Sequence, residues 1–246
     1  MAKKICKKLS KEQKRLLIGM LIGDGTITNH PDYKITHSGK QEEYLKWKIS
    51  LLDKYKLLHG GLKEYTQKSG FGLGNRVIYV RLKTNSTIKA LHRSVYIPNK
   101  TITRNLLNWL SPQEIAIWYM DDGHININTS KQRSNIQHIN KIATCVSKET
   151  VTIIINYFKE VWNINFRPFP EGPNTYSIAT RTEEDCKKFN TLIYPYISQV
   201  PSFLYKIRNN FTKEQFIALQ KSGDFRSAEH LFIDEDIVSS NSKVLE

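Results

Sequence analysis

Two aspartates, Asp24 and Asp122, carry the clearest chemical signal in the sequence. Each closes an apolar run, Leu16-Leu17-Ile18-Gly19-Met20-Leu21-Ile22-Gly23 before Asp24 and Ile115-Ala116-Ile117-Trp118-Tyr119-Met120-Asp121 before Asp122, and each precedes a glycine, Gly25 or Gly123. A helix that is apolar on every face must be buried on every face. A carboxylate at its C-terminal end faces the negative pole of the helix dipole, which disfavours the charge. One such aspartate could simply end a helix; a matched pair points to chemistry. Two carboxylates delivered to one place repel each other, and divalent cations that prefer oxygen ligands, such as magnesium, relieve that repulsion.

The elements that must position these acids repeat. Ser10 and Gln13 form a capping box for the first helix, and Ser111, Pro112 and Glu114 form the start of the second. Gly25 and Gly123 suit the left-handed position after a helix. After the first helix the pattern predicts a strand at Lys34-Ile35-Thr36, a helix over 40–55 and a hairpin over 62–83 with a glycine-rich tip at Gly70 to Gly74. A short helix over 87–92 completes that half. After the second come a strand at Lys141-Ile142-Ala143, a helix over 148–162, a hairpin over 164–181 turning at Glu171-Gly172-Pro173-Asn174, and a helix over 183–194. The two acids stand roughly one hundred residues apart, the separation expected of an internal duplication. The expected organisation is an N-terminal half (1–110), a C-terminal half (111–211) and a last helix with an acidic tail (212–246).

The segments Leu17-Ile18-Gly19-Met20-Leu21-Ile22-Gly23-Asp24-Gly25 and Ile115-Ala116-Ile117-Trp118-Tyr119-Met120-Asp121-Asp122-Gly123 resemble the two signature motifs of the monomeric LAGLIDADG homing endonucleases. The resemblance covers roughly residues 10–211. It implies an α+β fold of two pseudo-symmetric αββαββα halves in one chain, forming a DNA-binding saddle with the motif helices packed together at its centre. Gly19, Gly23 and Ala116 are then the close-contact residues of that helix interface. Ile117 and Asp121 replace the first motif's two glycines in the second, so the contact is asymmetric, and Asp121 reads as structural.

The same resemblance implies a site-specific DNA endonuclease that makes metal-dependent double-strand breaks in a long asymmetric site. Asp24 and Asp122 are its catalytic and metal-binding acids, with Mg2+ or another divalent cation such as Mn2+ as cofactor. Lys100 and Lys206, which follow the last helix of each half, correspond to lysines that enter the active sites of similar proteins. A cation there would stabilise charge on the reacting phosphate.

The hairpins are the candidate DNA readers, since a two-stranded ribbon can enter the major groove and present Arg, Lys, Gln and Asn to base edges. Alternation turns Ile78, Val80 and Leu82 inward and leaves Tyr79, Arg81 and Lys83 outward, with Arg76 at the head of the strand. Lys63, Tyr65 and Gln67 form a second outward row, and Lys34, Thr36 and Ser38 a third. In the C-terminal half the candidates are Lys141, Asn165, Arg167, Tyr176 and Arg181.

Composition agrees with a polyanion partner. The net charge is +14 and the pI 9.6. The stretch from Gly223 to the end holds six acids (Asp224, Glu229, Asp234, Glu235, Asp236, Glu246) against Arg226 and Lys243, so the remainder is more basic still. Cys6, Cys145 and Cys186 are far apart and odd in number, which fits neither a disulfide framework nor a zinc site. No P-loop, dinucleotide loop or histidine-finger nuclease pattern is present. The expectation is an intracellular monomer, in cytoplasm or organelle, without membrane attachment, acting on double-stranded DNA and possessing a second candidate partner in its host intron RNA. An intron-encoded or free-standing gene is expected over an intein. Two alternatives share the fold: an intron RNA maturase, and a DNA-binding regulator that has lost cleavage.

Overall fold

The computed structural model describes residues 9–28, 32–70, 72–83, 86–96, 101–128 and 137–207. The first helix, α1 (Lys11–Ile22), forms because Ser10 and Gln13 cap each other's backbone: the Ser10 amide donates to Gln13 Oε1 at 2.7 Å and the Gln13 amide to Ser10 Oγ at 3.2 Å. Every residue from Leu16 to Ile22 is buried, as an all-round apolar helix requires. Strands β1 (Gly25–Ile27) and β2 (Tyr33–Ser38) follow, then a 3-10 turn (Gly39–Gln41), α2 (Glu42–Lys54), β3 (Lys63–Thr66), β4 (Arg76–Arg81) and α3 (Ser86–Tyr96). After the short α4 (Arg104–Leu107), the second copy runs α5 (Pro112–Asp122), β5 (Gly123–Asn128), β6 (Gln137–Val146), α6 (Lys148–Trp162), β7 (Phe166–Gly172), β8 (Thr175–Thr180) and α7 (Glu183–Ile197). A 3-10 segment (Pro201–Lys206) ends it.

The α+β class and the repeated αββαββα order read from the sequence therefore hold. Each copy carries a four-stranded antiparallel sheet, ordered β1-β2-β4-β3 in the first and β5-β6-β8-β7 in the second. The described residues divide into two compact units, one within Met1–Ile102 and Trp109–Glu114, the other within Thr103–Asn108 and Ile115–Glu246. None of the helices among the described residues is long and apolar enough to cross a membrane.

In the first unit the inner face of the sheet buries Ile35, Ile78, Val80 and Leu82 against Leu45 and Leu52 of α2. The Tyr33 hydroxyl donates to the Leu17 carbonyl at 2.6 Å and ties β2 to α1. In the second unit Phe158 of α6, Phe166 of β7 and Phe189 of α7 form an aromatic triangle, with centroids 4.6, 6.0 and 5.5 Å apart, and Trp118 of α5 lies 6.3 Å from Phe158. Each such side chain contributes about 1.5–3 kcal/mol by leaving water. Helix α6 stops at Asn163, whose φ of 53° supplies the left-handed turn, its amide donating to the Phe158 carbonyl.

Three local expectations change. Gly25 and Gly123 do not close their helices in the left-handed conformation; each opens a strand, and α1 itself ends at Gly23 with a φ of −79°. The glycines are needed for space instead. A Cβ on Gly25 would collide with the Met20 carbonyl oxygen and the Tyr33 ring, and one on Gly123 with the Tyr119 ring and carbonyl. Strands β1 and β5, which begin at these glycines, gave no periodic signal because β1 is three residues long and β5 follows the helix without a break. Strand β3 has both faces exposed, so Lys63 and Tyr65 are not set apart by burial from Glu64 and Thr66, and Gln67, which follows the strand, is half-buried. The last predicted helix, capped by Thr212 and Gln215, and the acidic tail lie outside the described residues.

Candidate active site and nucleic-acid interface

Asp24 directly follows Gly23, the C-cap of α1, and precedes β1, so the end of a buried helix and the start of a strand fix its backbone. Its side chain is 38% exposed, while its neighbour His37, on β2, is 1% exposed, with Nδ1 3.4 Å from Asp24 Oδ2. The same nitrogen is 3.3 Å from Gln41 Oε1. The other ring nitrogen, Nε2, is 3.1 Å from the ammonium of Lys48, a fully buried lysine on α2. That cation also sits 4.4 Å from the Tyr44 ring centre. Asp24, Thr36, His37, Gln41, Tyr65 and Arg76 are among the residues around an open cavity of about 360 Å³ on this unit. The sequence reading missed His37, Gln41 and Lys48. The signal was available: Tyr44, Lys48 and Leu52 stand at helical spacing on the buried face of α2, and a lysine in an apolar stripe demands a partner.

In the second unit Asp122 is the last residue of α5 and is half-buried. Lys206 lies in the closing 3-10 segment, 7% exposed, and its ammonium donates to the Met120 carbonyl at 2.5 Å. A cation therefore meets the negative end of α5 two residues from Asp122. The Tyr119 hydroxyl donates to the Lys206 backbone carbonyl and contacts Asn140 Oδ1 at 2.9 Å, which anchors that segment to β6. Burial, with Lys141 and Lys206 adding to it, holds the His124 imidazole below its usual range, against the opposing pull of Glu171. Asp121 is half-buried beside Asp122. Lys100, the other lysine singled out from the sequence, lies outside the described residues.

Of the residues read as the helix interface, Ala116 is fully buried and Gly23 is the buried C-cap of α1. A Cβ on Gly19 would stand 2.5 Å from Glu114 Cβ, so the glycine admits the first turn of α5. Glu114 in turn accepts from the Ser111 amide at 3.0 Å and hydroxyl at 2.5 Å.

The candidate DNA contacts divide into two groups. Lys34 lies 4.1 Å from the Tyr79 ring centre and 5.3 Å from that of Tyr65, the two rings being 6.0 Å apart, with Arg81 5.8 Å from Tyr79. Partial burial and then the charge of Arg81 push the Lys34 ammonium below its usual range, Asp32 opposing. Together with half-buried Thr36 and exposed Ser38, Lys63 and Lys83, these side chains make a basic, aromatic surface of the kind that takes a polyanion. Ser38 also caps the 3-10 turn, accepting from the Lys40 amide, and the Gln67 side chain donates to the Ser69 carbonyl.

Two cations of this face also have partners, Arg81 with Asp32 at 3.3 Å and Lys83 with the Lys56 carbonyl at 2.9 Å, and other candidates are committed within the protein. Arg76 bridges Glu42 at 2.7 Å and Glu64 at 2.6 Å, and hydrogen bonds from Lys46 and then Arg76 lower the Glu42 carboxyl to about 2. Lys141 is 8% exposed and paired with Glu171 at 2.6 Å, over the Phe169 ring at 4.0 Å. Asn165 gives its backbone and side-chain N–H groups to Asp185 Oδ1. Arg167 is half-buried 5.8 Å from Phe169, Tyr176 is half-buried and Arg181 is exposed. Alternation alone could not separate the committed groups from the rest, because ion pairing is set across strands and helices.

A model of the LAGLIDADG DNA endonuclease family matches residues 14–189, which takes in both apolar helices, both acids and both sheets. The chain belongs to the LAGLIDADG DNA endonuclease family. Among curated proteins it is 26% identical over 225 residues to the protein named RecA of Mycolicibacterium flavescens, covering 87% of this chain and 50% of that protein. It is also 29% identical over 214 residues to a probable intron-encoded endonuclease of Wickerhamomyces canadensis, covering 82% and 86%. The chain thus spans about half the length of the first of these relatives. Among solved structures, the homing endonuclease I-WcaI bound to its DNA recognition sequence matches with a TM-score of 0.65 at 25% identity, covering 83% of this chain and 89% of that one. LAGLIDADG membership accounts for the duplicated helix, acid and sheet; it does not dictate the His37–Lys48 pair or the Lys141–Glu171 pair, which are features of these particular residues.

Proposed function

We propose that this protein is a site-specific endonuclease that makes divalent-metal-dependent double-strand breaks in DNA, with Asp24 and Asp122 as its metal-binding acids. The observation that carries the reading is the recurrence of an aspartate at the end of an apolar helix, immediately before a sheet of the same strand order, inside a family of DNA endonucleases. The structural likeness to an enzyme bound to its DNA supports the substrate class.

The donor set fits a hard cation. Asp24 offers carboxylate oxygens on a side chain 38% exposed, open to a hydrated ion, and Asp122 offers the same chemistry at the end of α5. Magnesium, or manganese in its place, suits such ligands. When bound, a cation there supplies Lewis acidity for water activation and for the leaving oxygen of a phosphodiester displacement. The protein's own residues do the rest. Lys206 brings positive charge to the end of α5, beside Asp122, where charge on the reacting phosphate is stabilised. Lys100 takes the corresponding part for Asp24. Lys34, Tyr65, Tyr79, Arg81 and Lys83 hold the duplex backbone and reach its base edges, and Arg167, Tyr176 and Arg181 do so from the second sheet. Both acids belong to one polypeptide, so the protein acts as a monomer.

The test is incubation with magnesium and a randomised duplex library, followed by sequencing of the cut ends. The wild type is expected to leave double-strand ends at one defined site. Asp24→Asn and Asp122→Asn are each expected to keep DNA binding in a gel-shift assay and to lose double-strand cutting, leaving nicks. Full double-strand cutting by both variants overturns the assignment. Absence of any cutting together with tight retention of an intron RNA favours the maturase reading.

A further inference from the structure

We propose that Lys48 and His37 form a built support for the Asp24 carboxylate, and that cutting of one DNA strand depends on this support while cutting of the other does not. The inference rests on the nuclease reading above and deepens it.

The support follows from donor and acceptor inventory. A lysine ammonium has donors and no acceptor. With Lys48 Nζ 3.1 Å from His37 Nε2, that nitrogen must accept, so the neutral ring carries its hydrogen on Nδ1. Nδ1 is the atom that faces Asp24 Oδ2 at 3.4 Å and Gln41 Oε1 at 3.3 Å. These are long contacts, of the kind that tighten when a site is loaded. The ring has little room to turn: it is 1% exposed and meets Tyr44 edge-on at 5.1 Å and 63°. Tyr44 itself is stacked on Trp47 and receives the Lys48 cation on its face. One carboxylate oxygen of Asp24, Oδ2, is thereby held toward a fixed N–H, which sets the orientation of the whole carboxylate. Partners of this kind orient ligands and commonly change metal affinity or activity by about 10- to 100-fold when removed.

The matching positions of the second unit hold different chemistry. Ile35 pairs with Val80 and Ile142 with Ile178; two residues back along β4 and β8 stand Ile78 and Tyr176, whose partners are His37 and, across a register shift that adds two residues to β6, Val146. Ser38 and Ser147 cap the helical segments that follow, and ten residues beyond each come Lys48 and Tyr157. The valine side chain offers no N–H, and the Tyr157 hydroxyl accepts from Trp162 Nε1 at 3.0 Å. A buried lysine is expensive to keep, and the buried residues of α6, Val151, Ile154, Tyr157 and Phe158, are all uncharged. The charge in the first unit therefore serves the group it contacts.

Two measurements on the full chain test this separately. Long-range 15N correlation of the His37 ring, recorded without DNA, is expected to show the Nδ1–H tautomer in the wild type and loss of that preference in Lys48→Met. An Nε2–H ring in the wild type overturns the support whatever the nuclease result. On a supercoiled plasmid carrying the cut site, Lys48→Met is expected to slow by about 10- to 100-fold the same strand cut that Asp24→Asn abolishes. The other strand should stay within about 2-fold, so nicked circles accumulate. Should Lys48→Met fail to fold, His37→Gln, which keeps an N–H, is expected to retain more of that strand's rate than His37→Leu. Equal slowing of both strands, or equal rates for the two His37 variants, overturns the strand-selective role. A wild type that cuts nothing removes that role together with the nuclease reading, and leaves the tautomer to decide the support.

Discussion

Lys34 and Lys141 occupy the same place in the two sheets, each beside the residue that pairs with the glycine after the acid. Their surroundings differ. Lys34 stands between two tyrosine rings on an open basic face. Lys141 is buried against Phe169 and neutralised by Glu171. The acids differ in the same way: Asp24 is approached from its own sheet and α2 by His37 and Lys48, whereas the charge near Asp122 arrives from the closing 3-10 segment through Lys206. The duplication preserved backbone order and apolar faces, which any fold of this shape needs, and let the polar groups diverge. The two units of one chain are therefore not chemically interchangeable, however alike their backbones.

The largest effect is expected at the acids, where replacing either by asparagine lowers double-strand cutting by on the order of 100-fold or more in a plasmid assay, while binding persists. If the two losses fall on the same strand, the units do not divide the work.

Next come the glycines. Gly25→Ala and Gly123→Ala are each expected to destabilise by about 1–3 kcal/mol in urea melts, since each Cβ meets backbone and a buried ring. Asparagine, which tolerates left-handed backbone, should restore nothing; rescue by asparagine would return these positions to a conformational role.

The lysines follow. Lys34→Ala should weaken duplex binding and reduce the slope of log affinity against log salt by about 1, as loss of one phosphate contact does. Lys141→Ala should leave that slope unchanged. Equal salt slopes for both variants would contradict the contrast between the sheets.

The smallest effect concerns Arg76. Hydrogen bonds from Lys46 and then Arg76 hold the Glu42 carboxyl near 2. Its folded value is depressed, so the contribution of this cluster is present above the ordinary carboxylate value and is lost as pH falls toward 2. Carboxyl NMR should find Glu42 ionised at pH 3.5; a normal titration would release Arg76 to contact DNA.

Much was legible in the chain itself. Two all-apolar helices ending in aspartate, serine caps and alternating strands specify a helix, strand, helix, hairpin and helix in each half, because burial periodicity and capping are local properties written in neighbouring residues; the strand directly after each motif helix followed only from the family resemblance. Asp24, Asp122 and the basic hairpin faces were visible for the same reason. Tertiary structure alone decided that Gly25 and Gly123 are required for space, that Arg76, Lys141 and Asn165 are bound within the protein, and that His37 and Lys48 stand behind Asp24. Those outcomes depend on which side chains from distant segments come within hydrogen-bond or contact range. Such distances follow from packing, which no spacing along a single segment encodes.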